Sequence, residues 1–189
     1  ALEQGMVNET HPKGICLVGF GPHAKRLHYR LISKHVADGT LRFSSLIELA
    51  NKEEETRRFF SSTSIKPENF HFIEPIGQIV PNSLNAQLER ALLVDIKDGK
   101  INLAIVSTEP KAHKIYIEFF LRNGIPVLTD KPHTAPVGAS PEAAAAKQIF
   151  EDAKLLHQLT VASKTPLYIL VQRREHPAFK FLFDEALKV

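Results

Sequence analysis

Gly14-Ile15-Cys16-Leu17-Val18-Gly19-Phe20-Gly21-Pro22-His23-Ala24 decides how the rest of the chain is read. The first half is apolar and prone to form a strand, and the second half is a GxGxxA turn at the point where a helix begins. In that setting the first glycine makes the tight turn and the second lets a pyrophosphate approach the backbone. The small Ala24 lets the helix pack closely on the strand. Ala24, Leu27, His28 and Leu31 recur at i, i+3, i+4 and i+7, which predicts a helix with one buried face. Pro22 has no N–H, so an anion held here must lean on the neighbouring amides and the positive end of the helix dipole. His23 either adds a charged hydrogen bond to that anion or is an ordinary exposed histidine of the first turn. A glycine-rich turn that holds no ligand carries the same letters, so the context has to decide.

Outward from this turn, short apolar runs alternate with amphipathic ones. Strands are predicted at 15–18, 43–49, 70–73, 101–106, 127–129 and 167–171, each rich in β-branched or large apolar residues. Ala112, Ile115, Tyr116 and Phe119 mark a second amphipathic helix, with Gly124 as its C-terminal stop. Ser140-Pro141 opens an alanine-rich helix over 142–157 as N-cap and first helical residue. Residues 61–85, with Pro67, Pro75, Gly77 and Pro81, read as a loop-rich excursion around one short strand. Strand, helix, strand in repetition predicts a doubly wound α/β domain: a mostly parallel Rossmann sheet with helices on both faces.

Composition narrows the function classes. The chain has 189 residues, 43% hydrophobic and 24% charged, which suits one folded domain and excludes both a large multidomain enzyme and a disordered chain. Its 24 basic residues exceed its 21 acidic ones by only three, and they alternate with acids, as in Lys52-Glu53-Glu54-Glu55, so no nucleic-acid partner is expected. Cys16 is the single cysteine, which rules out a disulfide within the chain and fits the cytoplasm. No apolar run reaches the ~18–20 residues that span a bilayer, so no membrane partner is expected. Residues 1–13 lack the layout of a signal peptide and read as a disordered or tag-like start. No metal site is expected.

The remaining chemistry sits at predicted strand ends. Glu48 closes the second strand a little over 20 residues beyond the glycines, where a carboxylate can accept both hydroxyls of an adenosine ribose and repel a 2′-phosphate. NAD is therefore expected over NADP. Lys52 softens that preference if it folds back, and a solvated strand end is the alternative for Glu48. After the fourth strand, Ser107-Thr108-Glu109-Pro110 offers small hydroxyls that leave room beside a cofactor, followed by His113, which reads as structural rather than catalytic. After the fifth strand comes Asp130-Lys131-Pro132. A lysine there can hydrogen-bond a substrate hydroxyl or polarise a carbonyl.

Together, Gly19 to Ala24, Ser107-Thr108-Glu109-Pro110 with His113, the run from Gly124 to Pro132, and Gln172-Arg173-Arg174-Glu175-His176-Pro177 resemble the N-terminal half of the Gfo/Idh/MocA oxidoreductases, a family named for glucose-fructose oxidoreductase and inositol dehydrogenase. The resemblance covers nearly everything after residue 13. It implies a Rossmann domain over 14–172 that holds a nicotinamide dinucleotide, with Lys131 matching the lysine of the family's Glu-Lys-Pro motif. Asp130 departs from that motif by one methylene. The implied cofactor-binding residues are Gly19, Phe20, Gly21, Pro22, His23, Ala24, Glu48, Ser107, Thr108, Glu109, His113, Asp130, Lys131 and Pro132, and Lys131 is also the catalytic candidate. Arg173, Arg174 and His176 are then supporting residues on the crossover, 173–189, toward a C-terminal domain absent from this sequence.

The expected function is hydride transfer between NAD(P) and a sugar-like or polyol CH–OH group. A non-catalytic dinucleotide-binding or regulatory module is the alternative, and a methyltransferase gains nothing from Asp130-Lys131-Pro132. Phe179, Leu182, Phe183, Ala186 and Leu187 form an apolar stripe that needs a surface to cover it. That stripe leads to the expectation of a fragment that binds dinucleotide with little turnover. Its full-length parent is then expected to be a homo-oligomer assembled through the absent domain.

Overall fold

In the computed structural model, residues 11–75, 83–135 and 143–171 are described. The predicted helix start at 140–142, the segment 172–189 with its apolar stripe, and residues 1–10 lie outside them. Six strands, β1 (Lys13–Val18), β2 (Leu41–Leu49), β3 (Asn69–Ile73), β4 (Leu103–Val106), β5 (Val127–Asp130) and β6 (Leu167–Leu170), form one sheet in the order β3-β2-β1-β4-β5-β6. Every pairing is parallel, as the alternation of strands and helices predicts.

The central strands β1 and β4 read as near-continuous apolar runs because both faces of the sheet are covered there. Along β1, Ile15 and Leu17 face one core and Cys16 and Val18 the other, and β4 repeats the pattern with Ile105 against Ala104 and Val106. The first face packs against α1 (Pro22–Arg26), α2 (His28–Ala37) and α3 (Glu53–Ser61) through Ala24, Ile32 and Phe60. The second packs against α4 (Ala86–Lys97), α5 (Pro110–Arg122) and α6 (Ala143–Ser163). Phe43 and Leu46 share a face although three residues apart, because a bulge shifts the β1–β2 register between Ile15↔Phe43 and Cys16↔Ser45.

Three expectations need correction. Leu31 is 49% exposed and Ile32 is buried in its place. The helix breaks at Leu27 between α1 and α2, so the inward row becomes Ala24, His28 and Ile32. The fourth strand begins at Leu103 rather than 101, since the Ile101 amide turns back to the Asp95 carbonyl. The helix α6 runs on to Ser163, six residues beyond the expected end. Two helices lie outside the sequence expectations: in α3 only Thr56 and Phe60 are buried, and in α4 the inward row of Leu88 and Leu92 ends in Asp95.

Candidate functional site

Because all six strands run the same way, their carboxyl ends share one edge of the sheet. The strand order reverses between β1 and β4, and that reversal opens the crevice where doubly wound folds bind ligands. The turn after β1, the end of β2, Ser107 to Glu109 after β4 and Lys131 after β5 all stand at this edge.

The two glycines of the turn differ in kind. Gly19 has φ +88°, and a Cβ there would lie 2.5 Å from the Ser107 carbonyl oxygen, so the fold itself demands glycine. At Gly21 φ is −68°, open to any residue, and an added Cβ would meet nothing within 4 Å. The fold does not need a glycine at 21; what its absent side chain leaves is open space beside the backbone. Ala24 is fully buried against the sheet and Pro22 occupies the first turn of α1, as expected. The Phe20 ring is 2% exposed and stacks on Phe60 at 4.8 Å, so only its backbone belongs to the turn. Even that N–H is engaged: it donates to Glu48 Oε2 at 2.5 Å, while the Leu49 N–H donates to Oε1 at 2.7 Å. Glu48 thus braces the turn from the end of β2. Lys52 turns to Glu55 at 3.5 Å.

On the other wall, Asp130 gathers partners from three elements. The Ser107 hydroxyl donates to its Oδ2, and Oδ1 faces His28 Nε2 at 3.0 Å and His23 Nε2 at 3.4 Å. Burial pushes the Asp130 carboxyl upward, but the hydrogen bonds from His28 and Ser107 and the charge of the two histidines outweigh it and hold the group below the usual carboxylate range. Asp130 is therefore ionised at neutral pH. His113, 1% exposed, places Nδ1 2.9 Å from the Pro132 carbonyl and Nε2 2.9 Å from the Thr108 carbonyl, tying the turn after β4 to the turn after β5. Burial, the larger effect, keeps its pKa below the usual histidine range although the two carbonyls pull it upward. Lys131 is exposed at the crevice edge, and Glu109 pairs with Lys111 at 3.0 Å.

A small cavity between the ends of β2 and β4 is lined by Leu49, Ile73, Pro75, Thr108, Glu109 and Tyr116. A larger cleft runs beside β3 and the start of α4, past His71, Phe72, Asn85 and Leu88, and reaches none of the candidate residues. His28 and the apolar cavity wall are what sequence reading leaves out of the site. The signal for His28 was a histidine on an apolar helix face, which reads first as core.

A family model described as an oxidoreductase family with an NAD-binding Rossmann fold matches residues 13–161. The chain belongs to the Gfo/Idh/MocA oxidoreductase family. Among curated proteins none matches the sequence. Solved structures share the fold at low identity. Biliverdin reductase from Synechocystis sp. PCC 6803, in complex with biliverdin and NADP+, is 18% identical with a TM-score of 0.62, covering 94% of this chain and 44% of that one. The WlbA (WbpB) dehydrogenase from Thermus thermophilus, in complex with NAD and UDP-GlcNAcA, is 19% identical with a TM-score of 0.60, covering 93% and 47%. A Gfo/Idh/MocA family oxidoreductase from Vibrio cholerae is 17% identical with a TM-score of 0.57, covering 93% and 43%. The chain spans less than half the length of each of these structures. Among the described residues no helix is long and apolar enough to cross a membrane.

Proposed function

We propose that this chain is the cofactor-binding part of an NAD(P)-dependent oxidoreductase that moves a hydride to or from a sugar-like or polyol CH–OH carbon. The observation that carries the reading is the open space at Gly21, in a turn whose other positions are filled by the fold, at the switch point of a sheet whose family binds NAD. Nicotinamide dinucleotide, when bound, supplies the hydride acceptor or donor. The amides of Gly21, His23 and Ala24 hold its phosphates, with the His23 side chain beside them. Leu49, Ile73 and Tyr116 give an apolar wall at this edge, against which the adenine lies. Lys131 donates a hydrogen bond to the substrate oxygen, which stabilises negative charge there as hydride arrives or the hydroxyl proton leaves.

Glu48 favours NAD. Its carboxylate stands at the ribose end of the crevice and Lys52 is drawn away to Glu55. At ~4 Å and an effective dielectric near 20, repulsion of a 2′-phosphate is about 4 kcal/mol per unit charge. The sugar-like substrate class is supported by the family and by the UDP-GlcNAcA held in the WlbA structure.

Fluorescence titration with NADH and NADPH tests this. The chain should bind NADH more tightly than NADPH, and Gly21→Val should weaken NADH binding at least tenfold, or about 1.4 kcal/mol. The variant should fold normally, since the added Cβ meets no protein atom. A folded Gly21→Val chain that binds NADH as well as the wild type would sink the assignment.

A further inference from the structure

The side chains around Asp130 that line the crevice also converge in a way that suits a second kind of ligand. Ligand atoms of His23, His28 and Asp130, one from each, lie within 4.8 Å of one another, and among the described residues no other group of three histidine, cysteine or acidic side chains converges in this way. We propose that these three atoms form a binding site for one divalent transition-metal ion of the zinc class.

The distances fit. Imidazole nitrogen and carboxylate oxygen bind zinc at about 2.0–2.2 Å, which sets tetrahedral ligand atoms roughly 3.4 Å apart. Two of the three edges here are already 3.0 and 3.4 Å. His23, with a side chain 40% exposed, has room to adjust to the ion, whereas His28 is sealed in the core. Ser107 holds the other carboxylate oxygen, as outer partners of metal sites do, and so keeps Oδ1 aimed at the two rings.

His28 adds an independent observation. Its Nδ1 is buried without a hydrogen-bond partner, so the ring's polar contacts run through Nε2 alone. Nε2 meets Asp130 Oδ1 at 3.0 Å, and a metal ion there takes the place of the proton shared between them. Two imidazoles and one carboxylate suit zinc, cobalt or nickel and leave at least one coordination position open. Sequence spacing hides the site, because 23, 28 and 130 follow no short ligand motif. Binding of the ion stands on these three side chains alone. Its use as a Lewis acid on a substrate oxygen rests in addition on the function proposed above.

The full chain, stripped with chelator, should be titrated with cobalt(II) while its visible d–d absorption is followed, and zinc then added to displace it. One ion per chain with a dissociation constant of about micromolar or tighter is the expected result. His23→Ala, at an exposed position, should weaken binding at least tenfold, and Asp130→Asn should do the same. If His28→Gln fails to fold by circular dichroism, His23→Ala still decides. Absence of saturable cobalt binding, or wild-type binding in His23→Ala, overturns the proposal. NADH titration of the metal-free chain separates the two readings, because dinucleotide binding there keeps the oxidoreductase reading even where cobalt fails.

Discussion

The turn after β1 and the turn after β5 flank the same crevice and are held by opposite means. The first is shaped by its own backbone: Gly19 takes φ +88°, Pro22 starts the helix, Ala24 packs on the sheet, and one carboxylate, Glu48, braces it from β2. The second has no glycine. It is clasped by side chains from far along the chain: Ser107 and His28 on Asp130, His113 on the Pro132 carbonyl, and the Thr134 hydroxyl on Asp152 in α6. A turn built from backbone constraint writes its reasons into consecutive letters, and a turn built from clasps depends on partners scattered along the chain.

Breaking the first turn should cost most. Gly19→Val puts a Cβ against the Ser107 carbonyl and forces a β-branched residue to positive φ, so a loss of about 3 kcal/mol or more is expected in the urea midpoint. A variant within 1 kcal/mol of wild type, in round terms of about the error of such comparisons, would mean the turn is clasped like the other one. Breaking the second turn is milder. His113→Leu removes the ring between the Thr108 and Pro132 carbonyls, one of which accepts its single N–H, and should cost about 2 kcal/mol, read by thermal denaturation, with His113→Gln recovering part of it. Equal losses for Leu and Gln would show that the ring acts by packing alone.

The smallest effect is a pH dependence confined to the second turn. The native pKa of His113 is below the unfolded value of about 6.5, so on acidification the unfolded chain takes up the proton first. The stability contributed by the neutral ring is full above that unfolded value and declines as pH falls below it toward the depressed native pKa. Urea midpoints followed between about pH 8 and about pH 5.5 should fall in the wild type and fall less in His113→Gln. Parallel slopes would assign the pH dependence to other buried histidines, with His71, also pushed downward mainly by burial, the next to test.

Much of the architecture was legible in the chain because periodicity reports local backbone geometry. Runs such as Ile15 to Val18 and Leu103 to Val106 are apolar on both sides of the pleat, which only a strand covered on both faces requires. Gly19, Gly21 and Ala24 declare the first turn within six residues, and Ala112 to Phe119 declare the helix that covers the sheet's centre. From these alone the parallel doubly wound class follows.

Tertiary structure decided the rest. Whether Leu31 or Ile32 faces inward depended on the break at Leu27, and the shared face of Phe43 and Leu46 on a one-residue bulge against β1. That Glu48 braces the glycine turn, and that His28 meets Asp130 across 102 positions, depends on the sheet order that sets β1 between β2 and β4. Backbone preference acts over a few residues and leaves its pattern in the letters. Hydrogen bonds between side chains act over about 3 Å of space, and which residues come that close is known only once the strands have found their neighbours.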